Sequence, residues 1–413
     1  MSPFAAAMIE TIFWLCFALV AYAYVAYPAI MAIWAWMKPL SVRRETNSAS
    51  VSVVMAAHNE IDTIAARIHS LMDQFADSSR PWEVIVVSDG SSDGTARVAR
   101  ECCQSEHVSV LDLPDRAGKA AAITEACRAA KHEILVFADV RQRWSSDAIE
   151  RLLERFADPQ IGAVSGELVL ETASGVMAGV GLYWRYEKWL RKKESQVHST
   201  VGVTGAICAV RRRLFRPIPR GTVLDDVYWP LQVVMAGYRV VFEERALAYD
   251  RLPTKARQEF IRKVRTLSGN CQLIARLPAA ILPWRNPVAF QLVSHKLMRL
   301  VVPWAMIAFL VSSVALDGWA YRLALVGQCV GYAVGIVGLI PIVGRRFRVA
   351  SALGSFLVLN AAAWIAFWVW LFGKTGRSWV KVSYGITGES GQDYRTSSLE
   401  PAGERSASPR RQS

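Results

Sequence analysis

Nothing in the 413 residues spells a disulfide framework or a zinc site: the seven cysteines are an odd set without any C-x-x-C spacing, and Cys16 and Cys329 fall inside apolar runs. Cysteines used in this way are small buried hydrophobes in a reducing compartment. Two phosphate-binding signatures are also missing. A P-loop needs a glycine five residues ahead of Gly118 and a Ser or Thr after Lys119, but Leu113 and Ala120 stand there. No G-x-G-x-x-G follows the first β-like run, which argues against a dinucleotide oxidoreductase. Acidic residues are outnumbered, 35 against 48 Lys+Arg, and the resulting charge of +13 suits nucleic acid, anionic lipid or a phosphorylated substrate. No recognition motif accompanies the basic clusters at Arg191 to Lys193, Arg211 to Arg213 and Arg345 to Arg348, so nucleic acid is not expected as a partner.

Apolar residues, in contrast, are abundant, at 53% with 15 Trp, and they gather near the start of the chain and after about Leu300. The run from Phe4 to Met37 is broken only by Glu10 and exceeds the about 20 residues that cross a bilayer. It has neither the basic start nor the small-residue cleavage site of a signal peptide, so residues 1–40 are expected to be a retained anchor. Lys38, Arg43 and Arg44 follow it and put the next domain, residues 48–275, on the cytoplasmic side of the cell membrane. Three further spans are expected within residues 300–373: Leu300 to Leu316, Leu323 to Val343 and Ala350 to Phe372. Three crossings leave the tail outside, whereas Lys374, Arg377 and Lys381 argue for inside, and its side stays open. Gly331, Gly335 and Gly338 are either small faces for close helix packing or ordinary membrane glycines. Residues 276–299 mix Trp284, Arg285, Lys296 and Arg299 with apolar residues, as in a segment lying along the membrane surface in contact with lipid, and residues 387–413 have the composition of a disordered tail.

Within the polar middle, "VSVVMAA", "EVIVVSD", "VSVLDL" and "EILVFAD" are short β-rich runs separated by helical stretches. This alternation predicts an α/β domain with a mainly parallel sheet, whose ligands bind beyond the carboxyl ends of the strands. Those ends carry Asn59 and Glu60, Asp89, and Asp139, and the third run leads to Gly118 and Lys119 at a helix start. "DGSSDGT" by itself is also compatible with two turns and a helix cap. Such a set points to a nucleotide site built from carboxylates in place of glycine amides.

The chain from Val51 to Gln272, with its flanking anchors, resembles the membrane-bound family 2 glycosyltransferases, inverting nucleotide-sugar enzymes of the A-type fold. The motifs that carry the likeness, in order, are "VSVVMAAHNE", "VIVVSDGSSDGT", "RAGKAAAI", "FADV", "VTGAICAVRR", "LDDVYWPLQVVMAGYRVVFEE" and "RKVRTLSGN". The resemblance implies that Asn59, Glu60 and Asp89 bind the nucleotide, that Lys119 lies near the diphosphate or base, and that Asp139 ligates Mg²⁺ or Mn²⁺ with the donor diphosphate. It implies that Thr204, Gly205 and Ala206, with Asp225, line the acceptor side, and that Asp226 takes the proton from the acceptor hydroxyl. Plainer readings stand beside these: a solvent-facing lysine for Lys119, a strand and turn for residues 204–206, and a helix cap for Asp225. The usual D-x-D is here Asp139-Val140-Arg141, so the second carboxylate is absent. In the place of the Q-x-x-R-W signature of processive members stand Arg262, Arg265 and Thr266, and Arg265 alone matches; both arginines are candidates for the departing diphosphate. The implied activity is transfer of a sugar from a nucleotide diphosphate sugar to a lipid-linked or polysaccharide acceptor with inversion. The alternatives are a processive polysaccharide synthase of the chitin, hyaluronan or poly-N-acetylglucosamine type and a non-catalytic membrane binding or regulatory protein.

Overall fold

The computed structural model describes residues 2–102, 106–171, 178–251 and 256–375, so the expected disordered tail lies outside the described residues. The four β-rich runs are strands β1 Val51–Ala57, β2 Trp82–Asp89, β3 Val108–Leu113 and β4 Ile134–Ala138. β1 pairs in parallel with both β2 and β4, and β2 with β3. Because helices cover both faces of this half, β1 and β4 are apolar without alternation. On one face the Ile61–Asp73 helix presents Ile64, Ile68 and Leu71 to Val53 and Met55. On the other, Ala122, Ile123 and Ala126 of the Lys119–Ala129 helix join the layer that contains Val54.

The remaining strands are β5 Arg143–Trp144, β6 Ile161–Glu171, β7 Ile207–Arg211 and β8 Arg239–Arg251, and the sheet order is β3-β2-β1-β4-β7-β6-β8-β5. β7 runs antiparallel to β4 and β6, β8 parallel to β6 and β5 antiparallel to β8. The sheet is therefore mixed: parallel pairings prevail, as expected, and the antiparallel ones gather around β7 and at the β5 edge. Ala138, which ends β4, is paired with Ile207, which begins β7. The loop that leads into β7 is thereby delivered to the edge where the parallel strands finish.

Among the described residues, four helices are long and apolar enough to cross a membrane: Pro3–Met37, Ala289–Ala315, Trp319–Gly338 and Arg348–Leu371. The second starts at Ala289, ahead of Leu300, so Lys296 and Arg299 belong to the helix itself. Arg299 bonds to Glu187, which keeps that charge at the domain end of the span. The first two spans each contain a π turn, Tyr22–Ala26 and Leu292–Leu297, and the Tyr22 and Ser294 hydroxyls meet at 2.6 Å. Gly335 and Gly338 pack closely: a Cβ there would stand 2.7 Å from Leu357 and 2.0 Å from the Ala350 carbonyl, whereas Gly331 faces open space. The Ala256–Arg276 helix lays Phe260, Val264 and Leu267 against Ala362 and Ala366 of the last span. Its apolar stripe is thus covered by protein.

Candidate active site

Four titratable side chains meet beyond the ends of β4 and the Lys119–Ala129 helix. The Lys119 ammonium lies 2.6 Å from Asp139 Oδ1, both side chains being 30% exposed. Burial disfavours the Lys119 charge, but Asp139, Asp225 and Asp226 together outweigh it and raise its proton affinity. Lys119 does not simply face solvent; it is the cation at the centre of three carboxylates. Asp225 and Asp226 open the Asp225–Met235 helix, where the amide dipoles favour negative charge. Burial pushes the Asp225 carboxyl up, Lys119 acts the other way, and Asp139 adds to the rise. Asp226 is pushed up to about 6, first by burial and then by Asp225, against the pull of Lys119, Lys296 and Arg191. A carboxylate tuned in this way is suited to accept a proton near neutral pH.

The loop entering β7 is fastened directly to Asp226. Pro230 sits inside the helix four residues on and has no N–H for the Asp226 carbonyl. That carbonyl instead accepts the Val203 amide at 2.9 Å. Gly202 permits the approach, since a Cβ there would come within 3.0 Å of the same oxygen and 2.9 Å of Val227. Thr204 is held by its own amide, which donates to the Ser165 hydroxyl at 3.0 Å, and the Ala206 carbonyl accepts the Trp144 indole N–H at 3.0 Å. Gly205 is beside Lys119, whose ammonium is 3.4 Å from where a Cβ would stand. Residues 204–206 therefore border the carboxylate cluster, and part of this loop is fixed by Pro230 and Ser165, which the sequence reading did not single out. A proline one helical turn after Asp226 was the available signal for the first; nothing local marks Ser165.

The candidates at the ends of β1 and β2 are tied to neighbouring strand-end loops. Both Asp89 oxygens accept backbone amides, from Ala117 at 2.7 Å and Gly118 at 2.9 Å, so this carboxylate positions the residue before Lys119. Asp93 accepts the Thr95 amide at 2.9 Å and the Ile61 amide at 3.2 Å, so that part of "DGSSDGT" is a turn held by Asp93, and the N-cap of the next helix is Gly94. Asn59 has φ of 53°, a conformation that asparagine tolerates, and its side-chain oxygen accepts the Ser92 amide at 2.9 Å. Glu60 donates its amide to Thr95 and accepts the Thr63 hydroxyl at 3.2 Å. These contacts shape the strand-end cleft and leave Glu60 partly exposed in it.

Arg262 pairs with Glu259 one turn earlier on the same helix, at 2.9 Å. Arg265 lies within electrostatic reach of the cluster: burial and Arg262 lower its proton affinity while Asp225 and Asp226 support its charge. Among the described residues no group of three or more His, Cys, Asp or Glu is placed to hold a metal. Asp139 uses Oδ1 for Lys119, and its Oδ2 has no hydrogen bond among the described residues.

Residues 52–218 match the model of glycosyl transferase family 2. The chain carries a family 2 glycosyltransferase domain. It is 24% identical over 238 residues to the poly-beta-1,6-N-acetyl-D-glucosamine synthase of Staphylococcus aureus (strain MSSA476), across 55% of this chain and 56% of that one. The synthase of the same description from Staphylococcus epidermidis is 22% identical over 233 residues, with the same coverage. The chain thus spans about half the length of the curated relatives it matches. Among solved structures, a mannosyltransferase from Pyrobaculum calidifontis in complex with GDP-Man and Mn²⁺ superposes with a TM-score of 0.67 at 22% identity, over 89% of this chain and 99% of that one. The mixed, curled sheet of the family 2 domain accordingly has the A-type glycosyltransferase fold. Asp225, Asp226 and Arg265 lie beyond the family match.

Proposed function

We propose that this protein is a membrane-tethered inverting glycosyltransferase that moves a sugar from a nucleotide diphosphate sugar to a hydroxyl of a lipid-linked or polysaccharide acceptor. The observation that carries the reading is Asp226: a carboxylate pushed up to about 6, at a helix start, beside Asp139, Lys119 and a backbone-fastened loop. In this mechanism Asn59 and Glu60 face the nucleotide, and Asp89 holds the Gly118 turn so that Lys119 reaches the diphosphate. The acceptor oxygen attacks the anomeric carbon as its proton passes to Asp226. The bond from that carbon to the diphosphate oxygen breaks, and its electron pair leaves with the nucleoside diphosphate. Lys119 and Arg265 offset the charge that develops on the departing group. A single displacement of this kind inverts the anomeric centre. A divalent cation, Mg²⁺ or Mn²⁺, would take Asp139 as its protein ligand and oxygens of the diphosphate as others, supplying charge neutralisation there. The four apolar helices support membrane residence, and Lys38, Arg43 and Arg44 support a cytoplasmic site.

The test is Asp226→Asn. Transfer in detergent-solubilised protein, assayed with UDP-, GDP- and dTDP-sugars, is expected to fall about 10²- to 10⁴-fold, with donor binding retained. Undiminished turnover would remove Asp226 from the mechanism. The relatives named above raise a second reading, a processive polysaccharide synthase; product length separates it, and Thr266 in place of the tryptophan of the processive signature weighs against it.

A further inference from the structure

Between Asp226 and the membrane helices lies a cavity of about 80 Å³. Arg191, from the Ala178–Val197 helix, and Lys296, from the π turn of the second span, line it opposite Asp226. Both act on the Asp226 carboxylate, and they repel each other. Neither side chain forms a hydrogen bond or an ion pair among the described residues.

The charges next to them are otherwise engaged. Glu194 Oε1 accepts the Tyr27 hydroxyl at 2.6 Å and lies 2.7 Å from His295 Nδ1, while Glu187 faces His295 Nε2 at 3.0 Å and binds Arg299. Glu194 Oε2, in a residue only 1% exposed, is left without a hydrogen-bond partner among the described residues, and Glu194 lines the same cavity. Two like charges and one orphaned acceptor, all beside the carboxylate that would receive a proton, amount to an unfilled set of contacts. A buried polar group in this condition is costly unless a ligand completes it.

The chemistry that completes the set is an anion for Arg191 and Lys296 and a hydroxyl donor for Glu194. The cavity has about half of the roughly 150 Å³ that accommodates a benzene ring, so it takes a small charged group and not a second sugar ring. We infer that it is an acceptor subsite for a phosphate group, held by Arg191 and Lys296, and that the acceptor is a phospholipid whose polyol headgroup offers its hydroxyls to Asp226 and Glu194. Placement of Lys296 on a membrane-crossing helix favours a lipid over a dissolved phosphate. This deepens the glycosyltransferase reading and rests on it.

The experiment gives the full chain in detergent micelles UDP-, GDP- and dTDP-sugars with either phosphatidylglycerol or monoacylglycerol, lipids with glycerol hydroxyls in the presence and absence of a phosphate. Wild type is expected to prefer phosphatidylglycerol by about tenfold or more. The double variant Arg191→Gln, Lys296→Gln is expected to bring the two acceptors to parity, and Lys296→Arg to keep the preference. Should the double variant fail to fold, the wild-type preference decides: its absence overturns the subsite. A rise in donor KM with acceptor preference intact would assign the two cations to the leaving diphosphate and also overturn it. Soluble glycerol phosphate accepting sugar as well as phosphatidylglycerol would overturn the lipid assignment. Wild type that neither transfers nor hydrolyses any nucleotide sugar would instead reject the enzymatic reading underneath, whereas hydrolysis without transfer to either lipid rejects the subsite alone.

Discussion

At the parallel end of the sheet the side chains of Asp89 and Asp93 are taken up by backbone amides, Asp89 by Ala117 and Gly118 and Asp93 by Thr95 and Ile61, whereas those of Asp139, Asp225 and Asp226 meet charges brought from other elements. Both groups are acidic, but in the second Asp225 and Asp226 are pushed up by burial and by a neighbouring carboxylate. Acidic residues with the same appearance in sequence therefore divide into those that build a cleft and those available to work in it. That division predicts different failures on substitution, in stability for the first group and in turnover for the second.

The widest separation is expected from Asp226→Asn, with its loss of about 10²- to 10⁴-fold in transfer and an unchanged thermal midpoint in detergent. Asp89→Ala should behave in the opposite way. Removing the side chain that accepts the Ala117 and Gly118 amides is expected to lower stability by about 1–3 kcal/mol, read as a drop in the thermal midpoint, before any kinetic effect is considered. A fall in turnover with full stability would place Asp89 with the working group. Gly202→Ala tests the fastening between the halves: the added carbon meets Val227 and the Asp226 carbonyl, and a cost of about 1–3 kcal/mol is expected together with weaker acceptor use. The smallest effect is a pH shift. An acid with a raised pKa keeps its proton to higher pH, so a base at about 6 loses activity as pH falls through that value and works on the plateau above it. Asp225→Asn removes the second cause of the rise while Lys119, Lys296 and Arg191 still favour the ionised form, and the acid limb should move below about 6. An unmoved limb would mean that the titrating group is elsewhere.

The parallel half was legible in sequence because its central strands β1 and β4 are buried on both faces and read as apolar runs, as in "VSVVMAA" for Val51–Ala57. The other half was less so. β7 is specified by pairing with β4 and β6, segments distant along the chain, and no local period announces its direction. Asp139, Lys119, Asp225 and Asp226 could be picked out as strand-end and helix-start residues, and the structure brings them together. The contacts of Arg191 and Lys296 with the same cavity could not, because one was read as part of a basic cluster and the other as part of a surface segment. Their meeting depends on how a membrane-crossing helix docks on the soluble domain, which is tertiary information.

The paired π turns at Tyr22–Ala26 and Leu292–Leu297 carry a consequence for what the molecule tolerates. Each stores surplus backbone relative to a regular helix. Excising one residue from the second would let the helix wind regularly with its flanks close to their present register, whereas the same deletion in the regular part of the span would turn everything beyond it by about 100°. The bilayer would be crossed in both cases, but only the second deletion would carry Lys296 and His295 round the helix barrel relative to the later part of the span. A deletion is absorbed at the π turn and becomes a rotation elsewhere, and a segment long enough to be only an anchor is keyed to the chemistry beneath it.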